Sequence, residues 1–291
     1  MDRCPPEVCA QIYAFACCDD GRTGRALSLV SRLTHEISGP YKLQSVSVIG
    51  HNQLYAFADL VERIPDHLRR IRYIFVSAHP RETGVLPRAI APEFQRRMEV
   101  FAVFKRILEA IGSSVEIIHV FFVFNRPFVV LPIGLPKLEE LVIHGSLEPS
   151  TTLLDKNLQF PSLKNLWLTS SGSPFFLVQK VLPLLPVLKH LRISEVRAEI
   201  HATEWKMLRN DPAPLFPSHL EKIYIHKPTE PRPDSRRGLY NTIMLELHEL
   251  GECDDRVVLL PPFKLDMFSM VEFQVAEATY HSSASGTPWW E

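Results

Sequence analysis

A Leu-x-x-Leu-x-Leu spacing that returns along the chain limits what it can fold into more than any other feature. The clearest copies are Leu138-x-x-Leu141-x-Ile143, Leu163-x-x-Leu166-x-Leu168, Leu188-x-x-Leu191-x-Ile193 and Leu220-x-x-Ile223-x-Ile225. Their first residues stand 25, 25 and 32 positions apart. A phrase returning at that interval marks one small strand-and-helix unit used repeatedly, and such a unit buries its apolar side only against its neighbours. Weaker copies lie upstream as Leu43-x-x-Val46-x-Val48, Ile71-x-x-Ile74-x-Val76 and Val115-x-x-Ile118-x-Val120.

Between the copies the apolar period changes from two to that of a helix. Leu54, Phe57, Leu60, Val61 and Ile64 form one such run, and Phe94, Met98, Phe101, Phe104, Leu108 and Ile111 another, with Gly112 placed to end it. Short helices are expected over Phe175 to Leu185 and Thr203 to Leu208, and longer ones over Leu239 to Leu250 and Phe263 to Tyr280. Arg256 to Leu260 reads as a short strand, and the proline-bearing stretches 78–92 and 227–237 read as loops. Strands alternating with helices give an α/β fold with a parallel sheet on one side and helices on the other.

Alternation within each strand sends the ladder leucines one way and their neighbours the other. The second set contains Tyr73, Phe75, His119, Phe121, Val142, Trp167, Arg192 and Tyr224. Solvated strand faces favour Thr, Lys and Glu, whereas aromatic and Arg side chains are the types that anchor protein interfaces. These eight are therefore the candidate partner-binding residues, centred on Trp167, Arg192 and Tyr224. The other possibility is that a loop or the C-terminal helix covers them.

Composition excludes several functions. A net charge of -1 over 291 residues argues against nucleic acid or anionic lipid as a partner. The apolar stretch Val115 to Leu135 contains Glu116, His119, Asn125, Arg126, Pro127 and Pro132, which suits a buried strand and turn rather than a membrane span. Five cysteines, at positions 4, 9, 17, 18 and 253, are odd in number and fit reduced thiols better than a disulfide framework. With no secretory leader at Met1 to Glu7, the expected location is the cytoplasm, the nucleus or both.

No catalytic constellation is present: there is no Gly-x-Ser-x-Gly elbow and no phosphate loop with its lysine. Gly21-Arg22-Thr23-Gly24 reads as a turn. His248-Glu249 lacks the second His of a zinc-protease helix, and Cys4, Cys9, Cys17 and Cys18 lack paired Cys-x-x-Cys spacing. Neither a cofactor nor a metal is expected.

The N-terminus carries the remaining signal. Pro5-Pro6-Glu7-Val8-Cys9-x-x-Ile12-Tyr13 opens an amphipathic helix, and Leu27-Ser28-Leu29-Val30-Ser31-Arg32 lies in a second, with Thr23 as its candidate N-cap. Residues 1–48 resemble an F-box, with Cys4 where that motif usually has Leu and Thr34 where a Trp is common. The repeats that follow, over 43–291, resemble an irregular leucine-rich-repeat horseshoe of about seven or eight units ending in a short tail. The resemblance implies the substrate-recognition subunit of an SCF-type cullin-RING ubiquitin ligase, non-enzymatic itself and monomeric outside the complex. Pro5, Pro6, Val8, Ile12, Tyr13, Leu29 and Val30 would contact an SKP-type adaptor, and the concave face would hold an unidentified target protein. The alternative is a non-catalytic leucine-rich-repeat scaffold with a degenerate F-box.

Overall fold

The computed structural model describes residues 4–78, 93–122, 128–131, 133–149, 160–169, 173–194, 198–209, 215–231, 237–263, 270–287 and 289–290. Most of the expected loop 78–92 and the middle of the loop 227–237 lie outside these. The chain runs α1 (Pro6–Ala16), α2 (Arg22–Leu27), α3 (Arg32–Ser38), β1 (Ser45–Ile49), α4 (His51–Arg63), β2 (Tyr73–Ser77), α5 (Glu93–Ile111), β3 (Ile117–Phe121), β4 (Phe128–Leu131), β5 (Glu140–His144), β6 (Ser146–Pro149), β7 (Asn165–Leu168), α6 (Pro174–Phe176), β8 (His190–Ile193), α7 (Ala198–Arg209), β9 (Lys222–His226), α8 (Arg237–Cys253), β10 (Val257–Leu260) and α9 (Met270–Ala284). It divides into two compact units, Met1–Phe124 with Phe268–Glu291, and Asn125–Met267. The helical segment α1 to α3 thus shares a unit with β1 to β3 and α9.

In the first unit β1, β2 and β3 lie side by side, parallel and in register, so that Val48, Val76 and Val120 form one row and Ser47, Phe75 and His119 the next. Parallel neighbours need a crossover, which α4 and α5 supply. These two helices pack on each other, and Arg106 of α5 reaches Asp59 and Glu62 of α4 at 2.8 and 2.7 Å. Arg72, just before β2, forms a two-pronged pair with Glu116, just before β3, at 2.8 and 2.7 Å. That pair pins the register from the strand entrances.

In the second unit β5, β7, β8, β9 and β10 are parallel neighbours in that order. The ladder residues Leu138, Leu141, Ile143, Leu163, Leu166, Leu188, Leu191, Ile193, Ile223 and Ile225 are all sealed from solvent. Ion pairs stand again at the strand entrances, Lys164 with Glu139 at 3.0 Å and Lys189 with Glu221 at 2.7 Å. α7 packs on α8.

Several local expectations differ. The apolar stretch after β3 contains a second strand, β4, which pairs with β6 in a separate two-stranded ribbon. The helix expected over 175–185 is one α turn, a π turn over Leu177–Val181 and a 3-10 turn over Leu182–Leu184. Pro183 lacks the N–H that an α-helix would need there. α9 starts at Met270 rather than Phe263 and runs to Ala284, well into the expected tail. In the weakest rung Leu43 and Val46 are half-buried while Val48 is buried. Among the described residues no helix is long and apolar enough to cross a membrane.

Candidate functional site

α1 starts at Pro6 because a proline at the first helical position has no N–H to leave unpaired. One stripe of the helix, Cys9 and Tyr13, is buried together with Cys17 at its C-cap. The other side turns Val8, Ile12 and Phe15 outward, with Phe15 85% exposed. Those three are spaced four and three residues apart, one helical face. Tyr13, expected to meet a partner, is only 3% exposed and belongs to the core of this segment. Pro5 and Pro6 are exposed.

The second helix does not extend through residues 27–32 as the sequence suggested. α2 begins earlier, at Arg22, because the Asp19 carboxylate accepts from the Thr23 N–H at 3.0 Å and from its hydroxyl at 2.6 Å. After Leu27 the chain turns, and Ser31 caps α3 by accepting from the Thr34 N–H at 3.1 Å. Leu29 and Val30 sit in that turn and Leu33 opens α3; all three are exposed, Leu29 by 87%. Thr34 is buried against its cap, its hydroxyl 2.9 Å from that of Ser31. Gly24 fixes α2 in place, since a Cβ there would lie 2.8 Å from the Lys42 backbone. The sequence-derived contact set holds Val8, Ile12, Leu29 and Val30 but neither Leu33 nor Phe15, although helical spacing puts Phe15 on the same face as Val8 and Ile12.

The proposed partner-binding face of the strands is largely closed. In the first unit Phe75, His119 and Phe121 are sealed by α9: Phe273 meets Phe75 and Phe121 edge-on, with ring centroids 5.7 and 5.5 Å away, and Tyr280 lies against Phe75 and His119. Tyr73 remains half-buried, with the Arg72 guanidinium 5.0 Å from its ring centre. In the second unit Val142 and Trp167 are buried. Phe263, expected in a helix, instead meets the Trp167 ring edge-on at 6.3 Å. A readable signal existed: strands such as Tyr-Ile-Phe-Val and Ile-Ile-His-Val-Phe are apolar on both faces, which is the pattern of strands covered on both sides.

Of the eight expected residues Tyr73, Arg192 and Tyr224 are still reached by solvent, the last two on β8 and β9. Cross-strand register makes Trp167, Arg192 and Tyr224 one row and Asn165, His190 and Lys222 the row before it. Arg192 lies 4.0 Å over the Trp167 ring, a cation–π stack. Trp167 Nε1 donates to Ser194 Oγ at 2.6 Å. Arg192 also donates from Nε and Nη2 to His226 Nε2 at 3.2 and 3.0 Å, while His226 Nδ1 lies 2.6 Å from the Pro261 carbonyl. That arrangement requires a neutral imidazole with its proton on Nδ1. Burial accordingly depresses the His226 pKa and lowers that of Arg192 to about 10. Arg192, Tyr224 and His190 are half-buried and Lys222 is exposed. The surface offers two cations, a phenol and an imidazole along two adjacent strands.

Burial raises the Cys9, Cys17 and Cys18 thiols, Cys17 to about 11, which disfavours the reactive thiolate. His248 and Glu252 are an exposed pair 3.5 Å apart on α8. No protein-family model, curated protein or solved structure matches the chain.

Proposed function

We propose that the chain is the substrate-recognition subunit of an SCF-type cullin-RING ubiquitin ligase, its α1–α3 segment an F-box that docks on an SKP-type adaptor. The observation carrying this reading is the concentration of six exposed apolar side chains, Val8, Ile12, Phe15, Leu29, Val30 and Leu33, on a segment of about forty residues. The same segment is held internally by Cys9, Tyr13, Cys17, Thr34 and Ser38, so its outward residues are not needed for its own packing. Surface apolar groups of that density lower the free energy of association when a partner covers them.

The strand units are then an irregular leucine-rich-repeat body, and the target meets it at Arg192, Tyr224, His190 and Lys222. The protein works by proximity in the cytoplasm or nucleus, holding a target beside enzymes carried by other subunits, and needs no cofactor.

The test is complex formation between the full-length chain and a purified SKP-type adaptor. A stable complex is expected at micromolar concentration, and Ile12→Glu with Leu29→Glu should abolish it while leaving the circular-dichroism spectrum unchanged. Absence of any complex with the folded wild-type chain would leave a leucine-rich-repeat scaffold with a degenerate F-box as the function.

A further inference from the structure

The loop between α1 and α2 and the second half of α9 bring together three donors that adaptor and target binding do not use. Asp20, Glu277 and His281 each place one ligand atom within 4.8 Å of the others. Glu277 and His281 stand four residues apart, so they project from the same side of α9, one turn from each other. Asp20 approaches from the other segment. It lies in the left-handed region at φ 57, followed by Gly21 at φ 82, and its side chain is only 7% exposed.

Both segments are tied to one hydroxyl. The Asp20 N–H donates to Ser45 Oγ at 3.3 Å, Ser45 Oγ lies 2.8 Å from Tyr280 Oη, and Tyr280 Oη donates to the Val46 carbonyl at 3.3 Å. With the Ser45 hydroxyl donating to Tyr280, every donor in this chain is used. Tyr280 is fully buried and is the residue before His281, so the tie sets the rotation and height of α9 against Asp20. Supporting hydrogen bonds of this kind hold metal ligands in a fixed geometry.

One imidazole nitrogen and two carboxylate oxygens form a mixed set suited to a first-row divalent ion, whereas calcium and magnesium favour all-oxygen sites. The two negative charges match the ion's charge. Arg22 Nε lies 3.2 Å from Asp20 Oδ1, at the exposed edge of the cluster.

We infer that Asp20, Glu277 and His281 form a binding site for one divalent transition-metal ion, zinc being the first candidate, which staples the last helix to the loop between α1 and α2. Because α9 is the helix that seals Phe75, His119 and Phe121, the ion would hold the cover of the first unit closed.

The experiment uses the full-length chain stripped with EDTA, titrated with zinc chloride by calorimetry and with cobalt chloride by visible absorption. One equivalent of each should bind. The melting temperature should rise by roughly 5 °C with zinc at a hundredfold excess over Kd. His281→Gln and Glu277→Gln should each weaken zinc by about tenfold or more, while His248→Ala, which removes the exposed pair on α8, should leave it unchanged. Absence of stoichiometric binding by the folded wild type would overturn the site, as would binding indifferent to both substitutions on α9. A histidine-selective NMR spectrum of the wild type asks the same question without a substitution: zinc must move the His281 ring signals, and their failure to move rules the site out.

Discussion

The strands of the first unit and those of the second alternate in the same way, yet their second faces meet different surroundings. In the first, Phe75, His119 and Phe121 are dry beneath Phe273 and Tyr280 of α9. In the second, the row passes from buried Val142 and Trp167 to half-buried Arg192 and Tyr224 within four neighbouring strands. A strand sends alternate side chains to opposite faces whatever lies there. Whether a face becomes core or binding surface depends on what covers it, and the cover here is distant in sequence.

The largest expected effect follows from the sealed face. Phe75→Ala should destabilise the protein by about 3–5 kcal/mol, the usual result of emptying a core site lined by other aromatics. Urea denaturation followed by far-UV circular dichroism measures it. A loss below about 1 kcal/mol would mean that α9 does not hold this face shut.

The sequence made the ladder legible because period-two spacing and leucine content carry the strand signal locally, and all the clear rungs are strands in the expected register. The crossover helices α4 and α5 were equally readable from their apolar faces. The cover was not. α9 presents Phe273, Ala276, Tyr280 and Ala284 to the interior, a stripe visible in the sequence, but nothing in the stripe says which strands it meets. In the N-terminal segment the exposed Val8–Ile12 face was legible from its helical spacing. The break after Leu27 was not, because it depends on side-chain hydrogen bonds, Asp19 accepting from Thr23 and Ser31 capping α3, that helical spacing does not report.

The next effect concerns the boundary between the closed and open parts of the second face. Trp167→Phe keeps a ring but removes the 2.6 Å hydrogen bond to Ser194 and weakens the stack beneath Arg192. A loss of about 2 kcal/mol is expected, from the missing bond and the poorer cation–π partner together. Trp167→Phe combined with Arg192→Ala, compared with each alone in a double-mutant cycle, gives the coupling between them. Additive losses would show that the indole stacks on Arg192 no better than a phenyl ring does.

A smaller effect should appear with pH. His226 and His190 both have pKa values pushed below the ordinary 6.5 by burial, with Arg192 and Lys189 respectively adding to it. The folded state therefore binds fewer protons than the unfolded one, so the stability these residues contribute is complete above 6.5 and is lost as pH falls through their folded values. Glu221 and Asp254 are depressed by their hydrogen bonds to Lys189 and Arg256, and their contribution is lost only at pH below the ordinary 4.5 and 3.8. Between pH 6.5 and 5 the histidines should dominate a falling melting temperature, and His190→Gln with His226→Gln should flatten that slope. An unchanged slope would place the sensitive groups elsewhere.

Least of all in stability, and most telling for the comparison, is Tyr224→Ala. Tyr224 occupies the same row as Trp167 and stands next to Arg192 across the strand pair, but its ring is only half-buried. If the row has opened by β9, truncation should cost about 1 kcal/mol or less, and Phe75→Ala should exceed it several-fold. The same change should lower affinity for a bound target by about tenfold or more if Tyr224 anchors the interface. A large loss of stability with Tyr224→Ala would extend the closed region across the whole second unit and leave the exposed apolar residues of α1 to α3 as the chain's principal binding surface.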